Sequence, residues 1–103
     1  MISYVDAKIA QVLGALERCG LARDTLLVFC ADHGEMGLSH GGLRQKAFNA
    51  YEETINIPLV FSNPQLFPRP AETAALASLV DVLPTVLSLA GAEHPEGLRG
   101  RDL

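Results

Sequence analysis

Asp32 and His33 stand side by side directly after an apolar run, and His40 and Lys46 follow in the next stretch of chain. A carboxylate and an imidazole at one point of the backbone can aim oxygen and nitrogen lone pairs at a single cation. Asp32 offers the hard oxygen that Ca²⁺ or Mg²⁺ takes. A nitrogen at position 33 tilts the pair toward Mn²⁺ or Zn²⁺. Lys46 is a compact ammonium on a flexible stem, suited to neutralising an anion. Taken alone the Asp-His pair is a weak signal, because such pairs also cap strands and open turns. A single lysine is by default solvated, and a loop histidine serves equally well as a partner for backbone groups.

The elements that must position these residues are legible on either side. Leu26 to Ala31 is apolar and partly β-branched, which reads as a short strand buried on both faces, as inside a parallel sheet. Asp32-His-Gly-Glu35 then lies at its carboxyl end, where ligands sit in open α/β sheets. Two adjacent ligands must leave strand alternation to converge, and Gly34 is expected to permit that turn. Residues 3 to 19 read as an amphipathic helix, with Val5, Ile9, Val12, Leu13 and Leu16 on one face. Ser3 and Asp6 have capping-box spacing, and Gly20 ends the helix.

Met36 to Lys46 shows neither period and is expected to be an irregular loop that hangs Lys46 over the Asp32-His33 corner. Phe48 to Thr54 reads as a short helix, and Ile55 to Phe61 as a second buried strand broken near its start by Pro58. Ser62 to Pro70 is a proline-rich loop. Leu79 to Ala90 reads as a second helix, with Asp81 as N-cap, Pro84 in its first turn and Gly91 at its end. Gly97 to Leu103 is expected to be a tail with no packing pattern. In it, Arg99 and Arg101 are expected to be solvated, with anion binding the alternative, and the nearby His94 is expected to be exposed. Glu52 and Glu53 read as surface or helix-capping carboxylates.

Composition narrows the class. In 103 residues, 49% hydrophobic and 19% charged, one small globular unit fits and disorder does not. A net charge of −4 with scattered Lys and Arg gives no nucleic-acid footprint, and no apolar run approaches a membrane span. Met1 to Asp6 shows no basic stretch leading into an apolar core. Cys19 and Cys30 read as reduced thiols, with Cys30 a small core residue of the strand. Two strands are too few for a stable sheet with helices on both faces. The chain therefore reads as a fragment of a larger α/β domain.

Taken together, Asp32-His-Gly-Glu35, the glycine-rich loop ending in Lys46, Tyr51-Glu-Glu53, Ile57-Pro-Leu-Val60, Asp81 to Gly91 and Gly97 to Leu103 resemble the C-terminal part of a sulfatase catalytic domain. Tyr4-Val-Asp6 and Asp24-Thr25 fit the same pattern, so the resemblance covers nearly all of residues 1–103. It implies a partial alkaline-phosphatase-like α/β sandwich, with two or more core strands flanked by helices in an incomplete, mixed or parallel sheet. It also implies a divalent metal, Ca²⁺ first and Mg²⁺ or Mn²⁺ next, held in part by Asp32 and His33. Lys46 matches a lysine that contacts the sulfate ester and steadies its leaving oxygen, and His40 matches a loop histidine. Glu35 looks like a loop-shaping residue.

The departures from the family pattern are as informative. Sulfatases resemble one another in a nucleophile made from the Cys or Ser of a Cys-x-Pro-x-Arg box, and neither cysteine here fits: Cys19 precedes Gly-Leu-Ala-Arg and Cys30 precedes Ala-Asp-His-Gly. The family's early paired aspartates are also absent. The partners implied are a sulfate ester and the N-terminal half of the domain. Phosphonate monoester hydrolases and phosphodiesterases of the same superfamily share the Asp-His box and are the alternative enzyme reading. A non-catalytic interaction module is the third.

Overall fold

The computed structural model describes residues 1–46 and 48–103, which form two compact units, 1–70 and 71–103. In the first, helix α1 (Ile2–Arg18) is followed by a 3-10 turn (Ala22–Asp24) and strand β1 (Leu27–Cys30). Two short helical turns come next, α2 (Ser39–Gly42) and α3 (Glu52–Ile55), and then strand β2 (Leu59–Ser62). Helix α1 begins one residue earlier than its pattern predicts. Its N-cap is Met1 without a side-chain bond, so the Ser3–Asp6 capping box does not form. Its C-terminus follows the sequence. Gly20 takes φ 71°, its N–H donates to the Glu17 carbonyl at 2.9 Å, and Leu21 N–H reaches back to Leu16 O at 3.1 Å.

Strands β1 and β2 pair antiparallel, with Leu27 opposite Ser62 and Cys30 opposite Leu59. The parallel alternative fails for a topological reason. A parallel return needs a crossover of a dozen residues or more, usually helical, along the sheet. Among the described residues, the segment between these strands has only the two four-residue turns α2 and α3. The Gly34 N–H donates to Thr54 O at 2.8 Å, tying the end of β1 to the segment that leads into β2. Pro58 lies just ahead of β2, at the place a strand tolerates it.

The expectation of strands buried on both faces is corrected. Leu27 and Val28 are half-buried, while Phe29 and Cys30 are exposed, as is Val60. Cys30 is thus a surface thiol and not a core residue. A two-stranded sheet can shield little of its own side chains. Ile2, Val5 and Ile9 of α1 line one open groove with Phe29, and Leu13 and Leu16 line another with Leu27. Among the described residues, Met36, 1% exposed, is the one fully buried apolar side chain. Asn63, buried at the end of β2, fills its hydrogen-bonding capacity: Nδ2 donates to Arg23 O (2.8 Å) and Thr25 O (3.0 Å), and Oδ1 accepts from Gln65 and Leu66 N–H.

The second unit is built on helix α4 (Val82–Leu89), entered through a 3-10 turn at Leu79–Asp81. Asp81 does precede the helix, but its buried carboxylate turns back, away from the helix amides: Oδ2 accepts Ser78 N–H at 2.8 Å and Oδ1 accepts Arg101 N–H at 2.9 Å. The Thr85 hydroxyl donates to Asp81 O at 2.6 Å and accepts Leu103 N–H at 3.1 Å. The Arg101 guanidinium donates to Leu76 O. The tail from Gly97 onward is therefore a strap and not a solvated end. Gly100, at φ 90°, lies so close to the 3-10 turn that a Cβ there would meet Val80 O at 2.2 Å. Pro84 lies buried in the first turn of α4, and Gly91 closes it with φ 66°.

Candidate active site

The site residues lie on the irregular segment between β1 and β2. Backbone conformation is unusual throughout its middle: Gly37, Leu38, His40, Gly41 and Gly42 all take positive φ. For Leu38 (74°) and His40 (50°) this conformation costs roughly 1–2 kcal/mol each. Such costs persist where surrounding contacts over-determine the backbone, often at functional sites.

Asp32 and His33 converge just past β1. Asp32 Oδ2 lies 3.3 Å from His33 Nε2, and Asp32 Oδ1 accepts the His33 N–H at 2.9 Å. His33 Nδ1 is 2.9 Å from Gly34 O. A carbonyl accepts only, so Nδ1 carries the proton of that bond. In the neutral ring, Nε2 then presents its lone pair to the Asp32 carboxylate. Two electron-rich atoms held face to face are relieved by a second ring proton or by a cation.

Gly34 acts differently from its expected role. Its φ is not positive. What it supplies is absence of bulk, since a Cβ at position 34 would lie 2.0 Å from Glu53 O. The strand end and the α3 turn touch through bare backbone, closed by the Gly34–Thr54 hydrogen bond. Behind them, the buried Thr54 hydroxyl meets Asn49 Oδ1 at 2.8 Å and Met36 Sδ at 3.2 Å.

Lys46 and His40 do not join the Asp32–His33 pair directly. Lys46 Nζ lies 3.4 Å from Glu35 Oε2, while Glu35 Oε1 accepts Met36 N–H at 3.0 Å. Glu35 thus shapes the loop, as its sequence position suggests, and also engages the lysine. His40 stacks on Tyr51, with ring centroids 4.1 Å apart and planes 16° from parallel, and its Nε2 lies 3.1 Å from Glu53 Oε2. Glu53, read from sequence as a surface or capping carboxylate, is thus the partner of His40. The Glu53 carboxyl is held below its usual range by its own backbone N–H and then by hydrogen bonding to His40, partly opposed by desolvation. The family pattern names His40 and Tyr51-Glu-Glu53 separately, but no periodicity links residues 40, 51 and 53 across a glycine-rich loop, so their contact was not legible in the sequence. Among the described residues, no three His, Cys, Asp or Glu side chains gather as a metal cluster.

Comparison with known proteins bears on the same residues. The family model described as Sulfatase matches residues 1–92. Arylsulfatase K of Xenopus laevis is 32% identical over the whole of this chain, which spans 19% of that protein. Steryl-sulfatase of Mus musculus is 36% identical over 99% of the chain and 18% of its own length. Choline-sulfatase of Rhizobium meliloti (strain 1021) is 39% identical over 92% of the chain and 18% of its own length. The chain thus spans about a fifth of the length of these relatives. No solved structure matches it significantly. With the Asp-His corner, the strained loop and the α3 turn all inside the matched span, the chain belongs to the sulfatase family.

Proposed function

We propose that residues 1–103 are a C-terminal part of the catalytic domain of a metal-dependent sulfuric ester hydrolase. In this reading Asp32 and His33 hold a divalent cation, and Lys46 and His40 meet the sulfate ester. The observation that carries it is the facing of Asp32 Oδ2 and His33 Nε2 at 3.3 Å past the end of β1, with Nδ1 turned away to Gly34 O. This donor set fits a cation: a hard carboxylate oxygen and an imidazole nitrogen whose tautomer is fixed by its second nitrogen. Bound there, a divalent cation supplies Lewis-acid gathering of anionic oxygens. Ca²⁺ is the first expectation by family, with Mg²⁺ and Mn²⁺ next, and the ring nitrogen suits Mn²⁺ best.

Two ligands cannot hold tightly a cation that takes six or more, so further ligands come from outside these residues. Lys46 reaches an ester oxygen by exchanging the Glu35 carboxylate, an exposed partner worth little, for a sulfate anion. There it stabilises charge on the departing oxygen. The relatives' names share sulfatase and differ in the aryl, steryl or choline part, so the proposal extends to the sulfate ester and leaves the alcohol open.

The test uses Mn²⁺ as a paramagnetic probe on the 103-residue chain. Weak binding that broadens the NMR signals of Asp32 and His33 first, and is lost in Asp32→Asn, is expected. Broadening centred elsewhere removes the metal assignment. The isolated chain is expected to release no phenol from a chromogenic aryl sulfate. Turnover abolished by Lys46→Ala would show that these residues suffice and that the partial-domain reading is wrong.

A further inference from the structure

We infer that Glu53 and Tyr51 are positioning residues for His40: together they fix the plane of its ring and commit Nε2 to a carboxylate, leaving Nδ1 as the nitrogen that meets the anion. This inference rests on the hydrolase reading for the role of His40 and on geometry for everything else. The two contacts on the imidazole are orthogonal in kind. Tyr51 covers a face, at 4.1 Å and 16°, and Glu53 Oε2 meets an edge nitrogen at 3.1 Å. Stacking alone leaves the ring free to spin in its plane, and one hydrogen bond alone leaves it free to tilt about that bond. Both together leave neither freedom. Among the described residues, Nδ1 has no hydrogen-bond partner.

A carboxylate only accepts, so Nε2 carries a proton in this pair, and Nδ1 donates to an anion when it holds the second ring proton. The same division of labour, one ring nitrogen held by a carboxylate and the other left to work, recurs where histidine moves protons or donates to anions. The backbone supports the assignment. His40 is held at φ 50°, an uncommon conformation for a side-chain-bearing residue. Tyr51 and Glu53 come from one short segment, the N-cap and second residue of α3. That segment also touches the Asp32-His33 corner, through Glu53 O against Gly34 and Thr54 O on the Gly34 N–H. One helical turn therefore sets the ring of His40 and braces the carboxylate–imidazole pair at the end of β1. The lowered Glu53 carboxyl agrees with a hydrogen-bonded His40 beside it.

The test is NMR of the 103-residue chain without metal or ester, reading the His40 ring protons. Stacked on Tyr51, they are displaced upfield. The displacement is expected to survive in Glu53→Gln, which keeps an acceptor oxygen, and to be lost in Glu53→Leu and Tyr51→Leu. The Asn63 side-chain amide, held by Arg23 and Thr25 carbonyls, reports that the unit remains folded. Undisplaced ring protons in the native chain, or displacement that persists in Glu53→Leu, overturns the inference. If Glu53→Leu also disperses the Asn63 signals, the Glu53 carboxyl decides. Its titration midpoint should rise in His40→Ala, and an unchanged midpoint overturns the pairing. No arm involves sulfate or metal, so failure here is distinct from failure of the hydrolase proposal.

Discussion

The segment from Asp32 to Thr54 and the unit from Ala71 to Leu103 use the same kinds of group to opposite ends. In the second unit a carboxylate and a hydroxyl are buried, Asp81 at 6% and Thr85 at 4% exposure, and each is bonded to two backbone groups it cannot leave without cost: Asp81 to two N–H groups, Thr85 to one carbonyl and one N–H. In the loop, three side-chain pairs sit at the surface, two of them histidine against carboxylate, and the Glu35 partner of Lys46 can be exchanged for water or ligand. Buried groups with several fixed donors stabilise a fold. Exposed charged pairs contribute about 0–1 kcal/mol and remain available for chemistry. The difference teaches where to look for function: in polar side chains at the surface, such as Lys46 with its one exposed partner.

The largest effects should come from the two close backbone approaches, one in each region. Gly34→Ala would drive a Cβ to 2.0 Å from Glu53 O, and Gly100→Ala would drive one to 2.2 Å from Val80 O at φ 90°. In both the obstacle is backbone, which cannot swing aside, and at Gly100 the conformation adds strain. Gly100→Ala should free the tail, seen as loss of amide-exchange protection at Arg101 and Leu103. Gly34→Ala should separate the strand end from α3, seen as loss of protection at the amide of position 34, which bonds Thr54 O in the native chain. Native protection in either variant breaks the account of that contact.

Next in size is Thr85→Val. The hydroxyl donates to Asp81 O and accepts from Leu103 N–H, so its loss leaves the strap amide without its partner and removes one of two bonds to the carbonyl that opens α4. A cost of about 1–3 kcal/mol is expected in the stability of residues 71–103. A change under roughly 0.5 kcal/mol, the range of ordinary surface substitutions, would mean the strap is not held there.

How much of this was legible follows the same division. Both helix ends at Gly20 and Gly91 were readable because the φ they need is local to one residue. The strands were found near their places because apolar runs bounded by turn residues are local too. Their direction was not, since it depends on what fills the space between residues 30 and 59. Nor was their exposure: a pattern states what a strand would bury, not what is present to bury it. Asp32 beside His33 is contiguous and was found. Glu53 with His40, and Asp81 with Arg101, join residues distant in sequence and without periodicity, so their pairing exists only in the fold.

Acid should separate the two regions by location. Asp81 is held below the usual carboxylate range by the Arg101 N–H, then by the Ser78 N–H, with the Arg101 charge adding to both. A carboxyl lowered on folding stabilises the native state above its unfolded value, and that contribution is lost as pH falls through the folded value. The same sign holds for Glu53. Both contributions should be intact at neutral pH and fade below about pH 4. In the second unit the amide shifts of Ser78 and Arg101 should move together with the Asp81 carboxyl. In the loop the His40 ring protons should move with Glu53. An Arg101 amide that titrates without Asp81 would break the strap assignment.

The smallest effect on stability should be that of Lys46→Ala, and this is where the comparison is sharpest. Lys46 and Glu35 are 39% and 56% exposed and 3.4 Å apart, so solvent screens the pair and its rupture should cost at most about 1 kcal/mol. Glu35 retains its bond to the Met36 N–H, which keeps the loop shape independent of the lysine. In the hydrolase of which these residues are proposed to be part, by contrast, loss of the ammonium proposed to meet the departing oxygen should lower kcat by roughly 10²–10³. A stability loss well above 1 kcal/mol would make Lys46 a structural residue of the loop. Unchanged turnover of an aryl sulfate would remove it from the chemistry. Only a near-native unfolding midpoint combined with a large fall in kcat fits a residue whose present partner merely holds its place.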